Sequence, residues 1–386
     1  MHLSATDPPP RVLHLTQPVD GGVARVVTDL ARAQLAAGLQ VTVGCPHSAL
    51  SAELGALGAK VRAWSATRTP GPTLVREVRL LSRLIEDVRP DLVHAHSAKA
   101  GLAGRLALRG RIPTVFQPHA WSFEAVGGGM AALALNWERR AARWAARVVC
   151  VSEAERLTGV RAGIQGRYTV IPNGIDPERF HPAAVGTVRA GLLPDVDPAA
   201  PLVVCVGRLC RQKGQDLLLR AWTTVVERVP GARLVLVGEG PDGGPLRARA
   251  PKSVLFTGAV TDAAPWYQAA DLVVLPSRWE GMALAPLEAM ACGRPVVVTD
   301  VDGARESLPL PLAPHCLVPP RDPARLAAAV VELLRDPLLR ESLGHQGRRH
   351  VLSTHDVRHT AEAVAGVYRD LLAHPVPSEY RESIHS

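Results

Sequence analysis

The sequence predicts an α/β protein made of two doubly wound domains, and three observations support that prediction. Short β-branched runs alternate with longer amphipathic stretches over residues 11–171, and the same rhythm begins again over residues 202–318. Such alternation is typical of βαβ units with a parallel sheet. Residues 176–201 contain five prolines and no sustained apolar period, which is linker composition. The length of 386 residues suits two domains with separate cores.

The individual elements follow from this rhythm. The first series contains seven predicted strands, at residues 11–15, 41–45, 60–64, 91–95, 114–118, 148–152 and 168–171. The second series contains six, at residues 202–206, 233–237, 254–257, 272–275, 295–299 and 315–318. Residues 322–373 are predicted as consecutive helices, with breaks at Gly344 and Gly347.

These elements divide the chain into three segments. We predict one domain at residues 1–183, a second at residues 184–355, and a terminal helical segment, residues 356–386, that packs back on the first domain. In doubly wound sheets ligands bind at the carboxyl ends of the strands. We therefore expect two Rossmann-like domains that face each other across a ligand-binding cleft.

Composition and charge limit the classes of partner that the protein is expected to bind. The apolar fraction is 47% and the charged fraction 21%, as in globular proteins. The net charge is +8, and residues 1–183 hold the whole excess, with 22 basic against 14 acidic residues. An excess of this kind favours nucleic acid, an anionic membrane or an acidic small molecule. The basic residues are dispersed and the chain has only 15 aromatic residues, so we exclude nucleic acid.

The cysteines and the N-terminus predict a location. The six cysteines lie far apart without a C-x-x-C pair, which favours buried free thiols in a reducing compartment. Residues 1–10 lack a basic segment followed by an apolar one, so we expect no secretory signal. The longest uncharged apolar stretch, residues 125–135, is too short to span a bilayer. We predict a cytoplasmic protein.

The largest group of candidate functional residues follows the predicted strand at residues 272–275. Pro286 suits a first helical position, so a helix starting near Ala285 would place Glu288 in its first turn. Backbone N–H groups before such a helix form a cradle for a diphosphate. They belong to Gly281, Met282, Ala283, Leu284 and Ala285. Glu280 precedes the turn, so both carboxylates could face the cleft. The alternative is a capped surface helix in which Glu288 only complements the helix dipole.

A second loop supplies cations. Arg208 and Lys213 follow the strand at residues 202–206 and precede a helix that begins near Gln215. At the carboxyl edge of the sheet, two cations could neutralise a leaving diphosphate. The spacing is not that of a Walker loop. Solvated loop charges are the alternative interpretation.

The first domain offers a glycine pair and several histidines. Gly21 and Gly22 follow the first strand, where they allow a phosphate to approach the backbone or simply form a tight turn. His119 follows a strand at the same edge, and a polar core histidine is the alternative. His94 and His96 alternate along one strand, but the sequence shows no third ligand, so we predict no metal site.

Two further motifs resemble binding sites. Residues 238–243 fit G-x-G-x-x-G, yet Pro241 removes a donor and acidic neighbours repel phosphate, so we do not expect a dinucleotide there. Asp300 and Asp302 form a D-x-D pattern that lacks supporting metal ligands.

Two basic helices account for the charge excess. Residues 74–88 place Arg76, Arg79 and Arg83 on one face, and residues 136–147 align Arg139, Arg143 and Arg147. Basic amphipathic helices are typical of membrane surfaces. A solvated arginine face over an ordinary core contact is the alternative.

Several segments in this order resemble the retaining glycosyltransferases of family 4, which have the GT-B fold, over roughly residues 11–368. The resemblance is carried by Gly21-Gly22-Val23, by residues 91–101 (DLVHAHSAKAG), by Pro118-His119, by Val151-Ser152, by residues 171–176 (IPNGID), by Gly207-Arg208 with Lys213-Gly214, and by the E-x7-E motif from Glu280 to Glu288.

This resemblance implies roles for the candidate residues. Arg208 and Lys213 would hold the donor diphosphate together with backbone at residues 281–284 and Gly22, and Glu288 would bind the ribose. Glu280 would contact the transferred sugar, and His119 would line the reaction centre. Residues 1–183 would be the acceptor-binding domain and residues 184–355 the donor-binding domain. The co-substrate would be a nucleotide-diphosphate sugar, expected to be a UDP-sugar, with no metal or other cofactor. Residues 300–306 lack the glycine pair usual in the family.

The resemblance also suggests acceptors. Members with the pattern at residues 97–101 often build surface polysaccharides on lipid carriers, so we expect a lipid-linked acceptor and an enzyme at the inner face of the cell membrane. The alternatives are a small soluble acceptor such as an inositol phosphate or a natural-product aglycone, a nucleotide-sugar epimerase, and a non-catalytic nucleotide-sugar-binding module.

Overall fold

The computed structural model describes residues 8–68 and 71–373. They form two units, residues 1–172 with 358–386 and residues 173–357, whereas the sequence placed the boundaries after residues 183 and 355. Residues 1–7, which carry most of the segment examined for a secretory signal, and residues 374–386 of the predicted terminal segment lie outside the described residues.

The first unit contains a parallel seven-stranded sheet in the order β3-β2-β1-β4-β5-β6-β7. All seven predicted strands are confirmed to within two residues. They are β1 (Arg11–Thr16), β2 (Gln40–Cys45), β3 (Lys60–Ala63), β4 (Leu92–His96), β5 (Thr114–Gln117), β6 (Arg147–Cys150) and β7 (Tyr168–Val170). The strand order reverses between β1 and β4, which places the carboxyl end of this pair at a topological switch point.

Helices connect these strands. They are α1 (Gly21–Ala36), α2 (Ala49–Ala56), α3 (Leu74–Val88), α4 (Ser97–Leu108), α5 (Gly128–Ala141) and α6 (Glu153–Arg161). Helix α3 has the predicted bounds, buries Leu81 and Ile85, and exposes its three arginines. The predicted helix at residues 136–147 is wrong: α5 ends at Ala141, a short 3-10 helix follows, and Arg147 begins β6.

The second unit contains a parallel six-stranded sheet in the order β10-β9-β8-β11-β12-β13, with its reversal between β8 and β11. The six predicted strands are confirmed to within two residues. They are β8 (Leu202–Val206), β9 (Arg233–Val237), β10 (Val254–Gly258), β11 (Leu272–Leu275), β12 (Val296–Thr299) and β13 (Leu317–Val318). The helices of this unit are α7 (Val185–Leu192), α8 (Gln215–Arg228), α9 (Gly243–Arg249), α10 (Ala264–Ala269), α11 (Leu284–Ala291), α12 (Ala313–Cys316), α13 (Pro323–Arg335) and α14 (Pro337–Thr354).

The predicted linker at residues 176–201 is instead part of the second unit. It contains α7, and Arg189 anchors it, because this buried side chain donates to the carbonyl oxygen of Ala269 and pairs with Asp271, both at 2.7 Å. The proline content therefore reflects an irregular packed segment. Proline disfavours regular helix without preventing burial.

The predicted breaks at Gly344 and Gly347 are also wrong, since both glycines lie inside α14. A Cβ on Gly344 would lie 2.2 Å from the carbonyl oxygen of Gly293, and one on Gly347 would lie 2.9 Å from the Met290 side chain. These glycines let α14 approach α11 closely. The last helix, α15 (Val357–Ala373), falls almost wholly in the first unit, where Tyr368 is buried.

All six cysteines are free and buried, as predicted. Burial raises the pKa of the Cys45 thiol to about 11 and that of Cys205 to about 12, so these thiols are inert. Within residues 8–68 and 71–373, no helix is both long and apolar enough to cross a bilayer.

Candidate functional site

The loops that follow β8 and β11 meet at the carboxyl edge of the second sheet. Gly214 permits the approach: its φ is +67°, and a Cβ there would lie 2.1 Å from the carbonyl oxygen of Pro276. Only glycine tolerates both conditions. The candidate residues Arg208 and Lys213, on one loop, and Glu280, on the other, therefore share one edge at the strand-order reversal.

Lys213 and Glu280 are in direct contact. Lys213 Nζ donates to Glu280 Oε1 at 2.6 Å, and the Ser277 hydroxyl donates to the same oxygen at 2.7 Å. The two charged side chains are only 19% and 9% exposed. A pair this far removed from water is held in one geometry. The sequence assigned the two residues to separate roles without predicting their contact.

A second ion pair braces the same loops. The Arg278 guanidinium donates to both carboxylate oxygens of Asp216, at 2.8 and 2.7 Å, and to the carbonyl oxygen of Arg211. Hydrogen bonding from Arg278 lowers the pKa of the Asp216 carboxyl. Arg278 was not among the predicted site residues, although its position two residues before Glu280 could have indicated it.

Arg208 differs from its neighbours. Its Nε atom is buried and has no hydrogen-bond partner within the described part of the chain. Buried polar groups are nearly always satisfied, so this nitrogen is available to donate to an acceptor on a ligand. Phosphate oxygens are acceptors that guanidinium groups bind especially well.

The segment before α11 is tied into the unit. The Asn173 side chain donates to the carbonyl oxygen of Met282 at 2.7 Å, and Gly303 N donates to that of Gly281 at 3.0 Å. These bonds occupy carbonyl oxygens and fix the backbone that leads into the N-terminus of α11, where Met282, Ala283 and Leu284 were predicted to cradle a diphosphate.

The start of α11 corrects one expectation. The helix begins at Leu284, so Pro286 is its third residue and Glu288 lies in the second turn. Glu288 is buried, and the Tyr267 hydroxyl donates to its Oε2 at 2.6 Å. Because Glu288 is buried beyond the first turn, the surface-cap interpretation does not hold. No sequence pattern predicted that Tyr267, which lies on α10, would contact Glu288.

A small pocket lies beside Glu280. It is lined by Leu275, Ser277, Glu280, Ala283, Pro286, Val298, Thr299, Val301, Ala304 and Ser307. Glu280 is the one ionisable side chain of this lining. A carboxylate in an otherwise weakly polar pocket can accept hydrogen bonds from ligand hydroxyls.

The two motifs that resembled binding sites have structural explanations. In residues 238–243, a Cβ on Gly240 would lie 2.3 Å from the carbonyl oxygen of Leu209, and Leu209 N donates to Glu239 O. This glycine therefore allows two loops to pack. Asp300 pairs with Arg305, so the D-x-D pattern does not present two unengaged carboxylates.

In the first unit, Gly22 and His119 lie at the carboxyl edge of the sheet. Gly21 and Gly22 form the exposed first residues of α1, and Gly21 has a φ of +69°. His119 follows β5 and is partly buried, with its Nε2 3.2 Å from Nδ1 of His96. Burial lowers the pKa of His119 to about 3, so the ring is neutral at pH 7.

His119 also has an uncommon backbone. Its φ is +57° and that of Ala120 is +121°, conformations that cost about 1–3 kcal/mol each. The fully buried Glu155 holds this turn, because its carboxylate accepts from Ala120 N at 2.6 Å and from Val151 N at 2.7 Å. Strain held by a buried carboxylate is typical of functional sites.

The structure supplies the third histidine that the sequence did not show. His14, on β1, joins His94 and His96, and their ligand nitrogens lie within 4.8 Å of one another. All three side chains are fully buried. Parallel pairing of β1 with β4 sets His14 opposite His94, which only the strand register reveals.

The pattern at residues 97–101 has an internal role. Lys99 is 2% exposed and pairs with Glu77 at 2.6 Å, and a Cβ on Gly101 would lie 2.2 Å from the Phe116 ring. Burial alone would raise the pKa of Glu77, but hydrogen bonds from Lys99, Thr67 and Thr73 bring it to about 2. These residues contribute to packing, so this pattern does not itself define an acceptor site.

Two family models match long segments of this chain, and both describe glycosyltransferases. Residues 20–179 match the family model described as Glycosyltransferase Family 4, and residues 200–336 match the model described as Glycosyl transferases group 1. The α-maltose-1-phosphate synthase of Mycolicibacterium smegmatis is 31% identical over 341 residues, which cover 79% of this chain and 87% of that protein.

Another relative is the UDP-Gal:α-D-GlcNAc-diphosphoundecaprenol α-1,3-galactosyltransferase of Escherichia coli, 31% identical over 60% of this chain and 66% of its own length. Two further relatives are matched over 65% and 51% of their lengths, so the chain spans less than two thirds of these first relatives.

Among solved structures, the Anabaena HepE protein in complex with UDP-glucose aligns with a TM-score of 0.80 and 24% identity, covering 94% of this chain and all of that one. This likeness shows that the two sheets form a GT-B fold. Together with the two family models, the strand orders and the E-x7-E motif, the comparisons establish that the chain belongs to glycosyltransferase family 4.

Proposed function

We propose that this protein transfers a sugar from a nucleotide-diphosphate donor, a UDP-sugar, to an acceptor hydroxyl with retention of anomeric configuration. One observation carries the proposal: at the strand-order reversal of the second sheet, the Lys213–Glu280 pair includes a lysine from the same loop as Arg208, whose buried Nε has no partner among the described residues. Cations, a carboxylate and a helix N-terminus at one edge suit a diphosphate joined to a sugar.

The second unit binds the donor in this proposal. Arg208 binds the diphosphate through its guanidinium, and Lys213 shares its ammonium group between Glu280 and a phosphate oxygen. The backbone at residues 281–284 contributes N–H groups to the diphosphate, Glu288 accepts from the ribose hydroxyls, and Glu280 contacts the transferred sugar. Gly22 keeps its predicted role as a backbone contact of the donor diphosphate. We assign acceptor chemistry to the first unit, with His119 at the reaction centre.

The reaction breaks the bond between the anomeric carbon and the diphosphate oxygen, and the acceptor oxygen forms its bond on the same face. The acceptor proton passes to the leaving phosphate oxygen. The developing negative charge falls beside Arg208 and Lys213, and preorganised cations of this kind lower the barrier. We propose that these groups suffice without a resident metal.

A lipid-linked acceptor is supported by two surfaces of the first unit. Helix α3 exposes Arg76, Arg79 and Arg83 together with Val75, which is 60% exposed. Helix α5 exposes Met130 and Leu133, at 60% and 64%. Basic and apolar side chains in combination favour binding to an anionic bilayer. The name of the E. coli relative specifies a diphosphoundecaprenol-linked acceptor. We therefore propose surface-glycan assembly at the inner face of the cell membrane.

A small soluble acceptor is the second candidate. A D-inositol 3-phosphate glycosyltransferase of Acidothermus cellulolyticus is 32% identical over 310 residues, covering 73% of this chain and 68% of that protein. The basic first unit would suit a phosphorylated alcohol as well as a lipid diphosphate.

Two assays test these proposals. A thermal-shift series across UDP-, GDP-, ADP- and dTDP-sugars identifies the donor base, because a ligand that binds only the folded state raises the unfolding temperature. Transfer is then compared between a polyprenyl-diphosphate-linked sugar and inositol phosphate, with and without anionic vesicles. If vesicles neither bind the protein nor raise its activity, the membrane proposal fails. Epimerisation of the donor without acceptor would contradict transfer.

A further inference from the structure

Three of four neighbouring histidine side chains form a continuous chain of close nitrogen contacts near the carboxyl edge of the first sheet. His119 Nε2 lies 3.2 Å from His96 Nδ1, and His96 Nε2 lies 3.0 Å from His14 Nδ1. His14 Nε2 lies 2.8 Å from Gln34 Oε1. The fourth histidine, His94, joins from the other side, since its Nδ1 lies 2.7 Å from the Tyr368 hydroxyl.

The direction of these hydrogen bonds follows from Gln34, which lies at one end of the histidine chain. The carbonyl oxygen of Gln34 can only accept, so His14 Nε2 carries the hydrogen. In a neutral ring Nδ1 then has the lone pair, and it must accept from His96 Nε2. The same step along the chain leaves a lone pair on His96 Nδ1, which accepts from His119 Nε2.

The rings are neutral because burial lowers all their pKa values. The pKa of His14 falls to about 4 and that of His119 to about 3, and those of His94 and His96 lie well below the ordinary value. Each ring therefore carries one hydrogen, and the hydrogen bonds decide which nitrogen holds it.

Gln34 is the element that orients the chain. It lies on α1 and is 6% exposed, and its amide nitrogen donates to the Tyr368 hydroxyl at 3.4 Å while its oxygen accepts from His14. An inverted Gln34 amide would reverse every bond and leave the lone pair of His119 on Nε2.

We propose that the line Gln34, His14 and His96 fixes His119 as the Nε2–H tautomer, so that its Nδ1 presents a lone pair to a substrate hydroxyl. His119 then acts as a hydrogen-bond acceptor that orients a hydroxyl group, and it does not donate a proton to the leaving phosphate. The tautomer follows from the hydrogen-bond geometry of neutral rings, whereas its use in transfer rests on the proposed function. His96, His14 and Gln34 are positioning residues.

The tautomer is read directly by NMR on protein labelled with ¹⁵N at histidine, using two-bond ¹H–¹⁵N correlations, with His119→Gln to assign the signals. We expect a pyrrole-type Nε2 and a pyridine-type Nδ1 for His119. Gln34→Met removes the acceptor that orients His14, so the His119 signals should no longer show a single fixed tautomer. A wild-type tautomer that is the reverse, or that is unchanged in Gln34→Met, overturns the proposal.

His96→Leu removes the acceptor of His119, and His94→Leu is the matched control. Both positions are fully buried on β4, but only His96 contacts His119. We expect His96→Leu to abolish the fixed tautomer and to lower kcat at least tenfold with donor Kd unchanged, and His94→Leu to keep the tautomer. Equal effects in both variants would contradict the proposal. If His96→Leu does not fold, Gln34→Met against His94→Leu gives the same comparison.

The same histidines could instead bind a metal ion, which would place lone pairs on both His14 Nδ1 and His96 Nε2 and reverse the His119 tautomer. Spectra recorded with EDTA and with added ZnCl₂ separate the two cases. We expect no change in the spectra on EDTA treatment. A His119 tautomer that inverts on chelation would overturn the proposed direction of the hydrogen bonds. If the tautomer is as proposed but no donor and acceptor support transfer, the proposed function is wrong and the inference about the His119 tautomer is still correct.

Discussion

The ammonium group of Lys213 lies 2.6 Å from the Glu280 carboxylate, and both side chains lie largely out of solvent. One residue follows β8 and the other follows β11, so the pair joins the two loops at the strand-order reversal. Both residues therefore keep their positions before a donor arrives. Such preorganisation avoids the cost of ordering the groups during the reaction.

Glu280→Gln should lower the rate of transfer by well over tenfold, which corresponds to more than about 1.4 kcal/mol of barrier. The amide keeps the shape but loses the charge that fixes Lys213 and that contacts the sugar in the proposed function. Steady-state kinetics with the identified donor measure the loss. Glu239→Gln, at an exposed glutamate after β9, is the control. A Glu280 variant as active as that control would show that the pair is only structural.

Arg208→Ala should weaken donor binding by about 10–100-fold, or about 1.4–2.7 kcal/mol, with little change in unfolding temperature. The reason is that the Nε atom of Arg208 has no partner in the described residues, so its removal breaks no hydrogen bond there. Isothermal titration with the nucleotide sugar measures the affinity. Arg211→Ala, at an exposed position of the same loop, should bind normally, and an equal loss there would argue for a diffuse charge effect.

Lys99→Met should destabilise the first unit by about 3–5 kcal/mol, because it leaves the buried Glu77 carboxylate unpaired. Since the folded-state pKa of Glu77 is about 2, the stabilisation from this pair is fully present above the ordinary carboxyl pKa of 4.5 and is lost as the pH falls towards 2. Urea denaturation measures both effects. Lys60→Met, at an exposed lysine on β3, should change stability by less than about 0.5 kcal/mol. Similar losses in both variants would mean that the ion pair contributes nothing.

The buried histidines should make the protein acid-sensitive. The unfolded chain takes up protons near pH 6.5, but folded His14 does so only near pH 4, so the free energy of unfolding falls as the pH drops through this window. For His14 alone the loss is on the order of 3 kcal/mol. Denaturation curves at pH 7.5 and pH 4.5 measure it, and His14→Phe should flatten the dependence. A dependence that is unchanged in His14→Phe would assign it to other groups.

The sequence predicted every strand to within two residues, because parallel strands buried on both faces are short β-branched runs bounded by turn residues. It failed where a residue's role depends on a distant contact. Gly344 resembles a helix break until α11 is packed against α14. Arg147 continues a basic helical pattern, but the chain leaves the helix at Ala141 to enter β6.

The candidate residues of the second unit were predictable because each follows a strand at the ligand-binding edge. Their contacts were not. The Lys213–Glu280 pair joins residues 67 positions apart, and the Glu288 partner Tyr267 comes from a different helix. The histidine chain was hidden for the same reason, since only the pairing of β1 with β4 sets His14 beside His94 and His96.

The central claim is that the edge formed by Arg208, Lys213 and Glu280 activates a nucleotide sugar for transfer. The most direct measurement is release of nucleoside diphosphate from the donor that gives the largest thermal shift, with and without a polyprenyl-diphosphate-linked sugar, for the wild type and Glu280→Gln. We predict acceptor-dependent release by the wild type, a glycosidic product of the donor's anomeric configuration, and a loss of more than tenfold in the variant. Release that is equal in the two proteins, or an inverted product, would contradict this account.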